Sequence, residues 1–152
     1  MDGRELRGFI DRYNDAWNAH DVDEIVAMHT EDSVFENHVT GDVNIGREQI
    51  ADALRGIFSV FPDLSFEGRR QYVRDNLVVQ EWTARGTHEG TVTRAGIQVE
   101  PTGRRVEYKG MDVIPIRDGL VGPQGRLLRL DHPAATARPN LDLATLARLP
   151  GA

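Results

Sequence analysis

Val106-Glu107-Tyr108-Lys109-Gly110-Met111-Asp112-Val113-Ile114-Pro115-Ile116-Arg117-Asp118-Gly119-Leu120-Val121 reads with a period of two. One phase carries Val106, Tyr108, Gly110, Asp112, Ile114 and Ile116; the other carries Glu107, Lys109, Met111, Val113, Pro115 and Arg117. Successive side chains of a strand face opposite ways, so the first, more apolar phase predicts the buried face of a long strand over 106–117. Asp118-Gly119 is a hairpin-turn dipeptide, and a further strand is expected from Leu120.

Upstream, 77–88 predicts the neighbouring strand, with a polar connection over 98–104. Asp75-Asn76 predicts a turn from a strand that begins at Leu64 and carries Phe66 and Tyr72 in one apolar phase. Before Pro62 the period changes to that of a helix. Ile50, Leu54, Ile57, Phe58 and Phe61 form one stripe, which predicts a helix over 46–61. The polar stretch 37–44 reads as a loop and 33–36 as a short strand. Val22, Ile25, Val26 and His29 make the inner face of a second helix. Asp21 is its expected N-cap, with Glu24 three residues on in a capping-box pattern. Leu6, Phe9, Ile10, Tyr13, Ala16 and Trp17 define a first amphipathic helix. Three N-terminal helices followed by long antiparallel strands give an α+β layout, with the helices packed on one face of a curved sheet.

The composition narrows the function. The 152 residues suit one domain with a core of its own. Zero cysteine excludes disulfides, a thiolate nucleophile and Cys-ligated metals. The net charge of −6 argues against nucleic acid as a partner. There is no apolar run long enough to span a bilayer and no signal-peptide pattern, so a cytoplasmic protein with no membrane partner is expected. No HxxxH, HExxH or HxH spacing, nucleophile elbow or glycine-rich phosphate loop occurs, so neither a metal nor a cofactor is expected.

Several stretches resemble one family in order and spacing. They are Arg12-Tyr13 through Ala16-Trp17-Asn18-Ala19-His20-Asp21, Glu31-Asp32-Ser33-Val34-Phe35-Glu36-Asn37, Gly46-Arg47-Glu48, Phe61-Pro62-Asp63-Leu64, and Gly110-Met111-Asp112-Val113 through Asp118-Gly119-Leu120-Val121. Together they resemble the SnoaL-like polyketide cyclases and ketosteroid isomerases of the nuclear transport factor 2-like superfamily, over about residues 4–121. The resemblance implies a cone-shaped barrel, a deep and mostly apolar pocket between helices and sheet, and a homodimer. It implies no single reaction, because the fold hosts isomerases, cyclases, hydrolases and non-catalytic binding proteins.

Asp112 is the polar residue on the apolar phase of its strand. Burial there raises a carboxyl pKa, and a neutral carboxyl can donate a hydrogen bond to an oxyanion or act as a general acid. A structural aspartate satisfied by a buried partner would give the same pattern. In the ketosteroid isomerases a first-helix tyrosine and a strand aspartic acid form an oxyanion hole. By resemblance, Tyr13 and Asp112 fall on those positions. The isomerase base would fall on Asn37, and an amide takes up no proton near neutral pH. Steroid double-bond isomerisation of the familiar kind is therefore not expected. Glu36 is adjacent but points to the opposite face.

In the cyclases the base is a carboxylate of the last long strand. Here the replacements are His88, in a segment resembling the family's pocket rim, Asp131 and His29. A packed and capping role is the commoner one for a histidine placed like His29, and His20 and His38 read as exposed loop residues. Trp17, Phe35, Phe58, Trp82 and Tyr108, with Asn37, are the expected lining for a small apolar or aromatic molecule. Two readings remain. One is a cyclase or isomerase using general acid/base chemistry on a polyketide- or steroid-like carbonyl, with Tyr13, Asp112 and His88 as catalytic residues. The other is a ligand-binding or dimerisation module of the same fold.

The charge divides unevenly. Residues 1–121 hold 14 Lys and Arg against 22 Asp and Glu, a net −8, whereas 122–152 hold four Arg against Asp131 and Asp142, a net +2. The family-like part thus ends where an atypical last strand and tail begin. One choice of codons for the stretch from Gln124 to Asp131, read one base later, spells Lys-Asp-Ala-Tyr-Phe-Asp-Trp, a word the family carries there. This motivates the hypothesis that 122–152 is out of frame relative to its relatives. A nucleotide sequence in which no single-base shift restores that word would end it.

Overall fold

The computed structural model describes residues 1–38, 41–94 and 97–123. The helices are α1 (Gly3–Asn18), α2 (Val22–Ala27) and α3 (Gly46–Val60). The strands are β1 (Val34–Asn37), β2 (Asp42–Ile45), β3 (Ser65–Arg74), β4 (Leu77–Thr87), β5 (Val92–Arg94), β6 (Ile97–Val99), β7 (Arg105–Arg117) and β8 (Leu120–Val121). The main sheet runs β3-β4-β7-β8, and β1-β2 and β5-β6 form separate two-stranded ribbons. All the ladders between named strands are antiparallel. The sheet is open among the described residues, so the expected barrel is reduced to helices against one face of a four-stranded sheet.

α1 forms as the stripe predicts, burying Leu6, Phe9, Ile10, Tyr13 and Ala16. The full capping box belongs to this helix: Asp2 accepts from the Arg4 and Glu5 amides, and Glu5 accepts from the Asp2 amide. In α2 only half of the expected box is made, Asp21 accepting from Glu24 N at 3.0 Å. α3 buries Ile50, Ala51 and Leu54 and enters through Gly46, whose φ of +79° a Cβ would strain. The core joins these stripes to Val78, Ile114, Ile116 and Val121 of the sheet.

Three readings are corrected. The stretch 37–44 is not all loop, because Asp42–Ile45 pairs with Val34–Asn37. Val43 and Ile45 are 50% and 58% exposed, and a strand with its apolar residues in solvent leaves no buried alternation to read. The connection 98–104 begins as β6, paired with β5. Tyr72 does not share a face with Phe66. A bulge at Arg69, between the Gly68–Trp82 and Arg70–Glu81 pairs, reverses the strand's phase. Beyond it Tyr72 points outward, 56% exposed, and Gln71 and Val73 are partly buried instead. The Asp118-Gly119 turn forms as read, with φ values of 54° and 80°. No helix of the described residues is long and apolar enough to cross a membrane. Asp131 and nearly all of the atypical tail lie outside the described residues.

Candidate functional site

β8 is short, but it positions the site. Val121 N donates to Met28 O at 2.8 Å, and Thr30 N donates to Val121 O at 2.9 Å. The residue between, His29, is thereby clamped to the sheet edge, and Arg47 Nε holds its carbonyl at 2.8 Å. The His29 side chain is 2% exposed. Its Nε2 lies 2.8 Å from the Tyr13 hydroxyl and its Nδ1 lies 2.8 Å from Ser33 Oγ. Burial first, then the nearby Arg47 guanidinium, pulls the His29 pKa down to about 4, so the ring is neutral at neutral pH. Burial and the neighbouring Asp112 push the Tyr13 phenol well above its ordinary value.

A second polar group faces the same space from the sheet. Gln80 stands on β4 directly opposite Asp112 on β7. Gln80 Nε2 donates to Asp112 Oδ2 at 3.2 Å and to Asn14 Oδ1 at 3.0 Å, and Asn14 Nδ2 returns a bond to Gln80 Oε1 at 3.0 Å. The reciprocal amide pair fixes the donor that meets the carboxyl. Burial raises the Asp112 pKa, and Trp82 and Gln80 hold the rise in check. Of these two, only Gln80 makes a bond within hydrogen-bonding distance. Among the described residues the buried Trp82 indole N–H has no hydrogen-bond partner, and it remains available as a donor.

An aromatic wall joins these groups. Trp17 meets Tyr13, Phe35, Phe58 and Phe66 at centroid separations of 5.5–6.3 Å. Phe66 then meets Trp82 at 5.3 Å, and Trp82 meets Tyr108 at 5.7 Å. Tyr108 sits at the rim, 43% exposed. Asn37 is partly buried at the end of β1. Two shallow grooves on the described surface lie elsewhere, one beside Arg69 and Glu81 and one beside Arg12 and Glu24. The deep pocket that the resemblance implies is neither of them.

The structure brings Tyr13, Trp82 and Asp112 toward one another but not His88. His88 lies eight residues beyond Gln80 in the β4 direction, about 26 Å at roughly 3.3 Å per residue. There its Nδ1 lies 3.0 Å from Thr102 Oγ1 and its ring packs on Phe61. His38 is exposed as read. His20 is not: its Nε2 meets Leu64 O at 2.7 Å, and its ring stacks on Phe58 at 4.1 Å. Asn14, Ser33, Phe66 and Gln80 were not read as site residues from the sequence. For Gln80 the signal was present, since it is polar on the buried phase of β4 between Val78 and Trp82, as Asp112 is on β7. No group of three or more His, Asp or Glu side chains placed to hold a metal occurs among the described residues.

The SnoaL-like domain family matches residues 10–121. The chain belongs to the SnoaL-like family. No match is found among curated proteins. Solved structures with this SnoaL-like fold include a candidate SnoaL-like polyketide cyclase from Jannaschia sp. CCS1, with a TM-score of 0.70 and 20% identity over 80% of this chain and 83% of that one. AclR, a candidate hydroxylase from Streptomyces galilaeus, has a TM-score of 0.66 and 24% identity over 80% and 73%. IdmH, a candidate polyketide cyclase from Streptomyces antibioticus, has a TM-score of 0.61 and 23% identity over 77% and 86%. At these identities the likeness speaks for the fold.

Proposed function

We propose that this SnoaL-like protein is a cyclase or isomerase that acts by general acid/base chemistry on a small carbonyl compound of polyketide or steroid type. The observation that carries the reading is Asp112, a carboxyl pushed toward its neutral form by burial, bonded by an immobilised amide, and near enough to the buried Tyr13 to raise its pKa. In this reading Tyr13 and the protonated form of Asp112 donate to the substrate's carbonyl oxygen, and negative charge gathers there as solvent water takes the α-proton and the enolate forms. Neutral donors already fixed in a water-poor site stabilise that charge without reorganising. The Trp82 N–H is a third donor beside them. Asn37 holds substrate rather than removing a proton, and Trp17, Phe35, Phe58, Trp82 and Tyr108 contact its apolar body. The candidate cyclases among the structural neighbours are compatible with this reaction class.

A specific observation also favours the second reading, a ligand-binding module: Asn37 replaces the family's carboxylate, and His88 is too remote to replace it. Deuterium uptake α to the carbonyl of 2-tetralone, followed by NMR in heavy water, separates the two. The enzyme reading expects uptake faster than in buffer, falling about 100-fold in Tyr13→Phe and Asp112→Asn. Binding without uptake supports the module. Uptake unchanged by both substitutions removes Tyr13 and Asp112 from the mechanism.

The homodimer is part of the proposal. Tyr72, Leu77, Val79, Met111 and Val113 share the outer sheet face, with Met111 61% exposed. Arg85 bridges Glu67 and Glu107 on the same face. Apolar surface flanked by charges of both signs is self-complementary across a two-fold axis.

A further inference from the structure

We infer that Ser33 and His29 are positioning residues that aim the Tyr13 hydroxyl proton into the site; the inference rests on reading Tyr13 as the oxyanion donor. The three side chains form a buried line, Ser33 Oγ to His29 Nδ1 at 2.8 Å and His29 Nε2 to Tyr13 Oη at 2.8 Å. A neutral imidazole carries one ring proton, so the line has two polarities.

In one polarity, Tyr13 O–H donates to Nε2 and Nδ1–H donates to Ser33. Tyr13 then has no proton left for a substrate, and the Ser33 hydroxyl proton must find another acceptor. Ser33 is 0% exposed, and among the described residues its hydroxyl meets no acceptor other than His29. That polarity therefore strands a buried O–H. In the other, Ser33 O–H donates to Nδ1, Nε2–H donates to Tyr13 Oη, and the phenol proton is left to point at the inner face beside Asp112. The Tyr13 hydroxyl likewise meets only His29 among the described residues, so each polarity leaves one O–H to be accepted from outside the line: at the fully buried Ser33 nothing is there to accept it, whereas at Tyr13 it opens on the space shared with Asp112, where water or the carbonyl oxygen of the proposed substrate accepts it.

The polarity is built into the fold. His29 is set by the backbone bonds of Met28 and Thr30 to Val121 and by Arg47 on its carbonyl. Ser33 is set by its amide on Thr30 O at 3.1 Å and by Gly46 N on its own carbonyl at 2.8 Å. Neither side chain touches the substrate; both act through Tyr13. A serine four residues after the histidine supplies the proton that chooses the tautomer.

Imidazole nitrogen NMR on the intact chain at neutral pH reads the tautomer without any substrate. The His29 ring is expected as the Nε2–H form in the wild type, with Nδ1 unprotonated. An Nδ1–H or doubly protonated ring in the wild type overturns the proposal by itself. In Ser33→Ala the Nδ1 lone pair loses its donor, so the Nε2–H signal is expected to give way to Nδ1–H. A tautomer unchanged by this substitution removes Ser33 from the line. Because no turnover is measured, failure here is distinct from failure of the cyclase or isomerase reading, which the 2-tetralone experiment tests separately.

Discussion

Gln80 stands directly across the β4–β7 ladder from Asp112 and donates to its Oδ2 at 3.2 Å while locked in a reciprocal amide pair with Asn14. One glutamine thus connects α1 to the carboxyl on which the proposed chemistry turns. Its donor opposes the pKa rise that burial causes. Gln80→Leu is expected to move the Asp112 pKa further up, as read by carboxyl carbon NMR. It also strands the Asn14 amide, at a cost of about 1–3 kcal/mol. An Asp112 titration that stays put or moves down would show that another group sets the carboxyl.

His29 predicts a dependence of stability on acid. Its folded pKa of about 4 lies below the unfolded value of about 6.5, so the unfolded chain takes up this proton first. The stabilisation is whole above about pH 6.5 and is lost as pH falls toward 4, up to about 3 kcal/mol. Tyr13, Ser33 and Arg47 surround the ring and none is a carboxylate. Asp112 acts in the opposite sense, since a carboxyl with a raised pKa favours the fold more as it protonates. Urea midpoints between pH 7 and 4.5 should fall steeply for the wild type and more gently for His29→Gln. Parallel slopes would clear His29 of the effect.

Gly110 is the floor under Trp82. The two residues are opposed across β4 and β7, and a Cβ at Gly110 would overlap the indole's six-membered ring. Gly110→Ala must lift the ring or shift the strand, at about 1–3 kcal/mol. It should also move tryptophan fluorescence. Gly68 opposes Trp82 from β3, but a Cβ there meets nothing within 4 Å, so Gly68→Ala is the control, with about 0.5 kcal/mol or less expected. Equal effects at both positions would mean that the indole does not rest on Gly110.

Met111 tests the proposed homodimer. Met111→Asp places a charge among Val79, Val113 and Tyr72 on the outer face and disturbs no buried contact. Sedimentation should show a dimer for the wild type and a monomer for the variant, with unchanged circular dichroism. A wild type that sediments as a monomer at high concentration rejects the dimer outright. A dimer that survives the substitution moves the interface to another surface.

Periodicity made α1, α3, β4 and β7 legible, because each buries one face and leaves the other wet, and the Asp118-Gly119 turn was legible from residues that accept positive φ. Periodicity failed at β2, whose apolar residues stand in solvent, and beyond Arg69, where one bulged residue exchanged the faces of β3. The same logic made Asp112 visible, since a carboxylate on an apolar phase stands out in a single strand. Partners drawn from distant segments were not visible. Asn14 reaches Gln80 across 66 residues, and Tyr13 reaches His29 across 16.

The sequence by itself determined the main helices and long strands and the family, and it singled out Tyr13 and Asp112 as candidates, because local periodicity and short motifs carry that information. Only the tertiary structure decided what holds them. It placed His29 and Ser33 behind Tyr13, put Gln80 and Asn14 behind Asp112, and left His88 remote, because hydrogen bonds are set by distances across the fold and not by spacing along the chain.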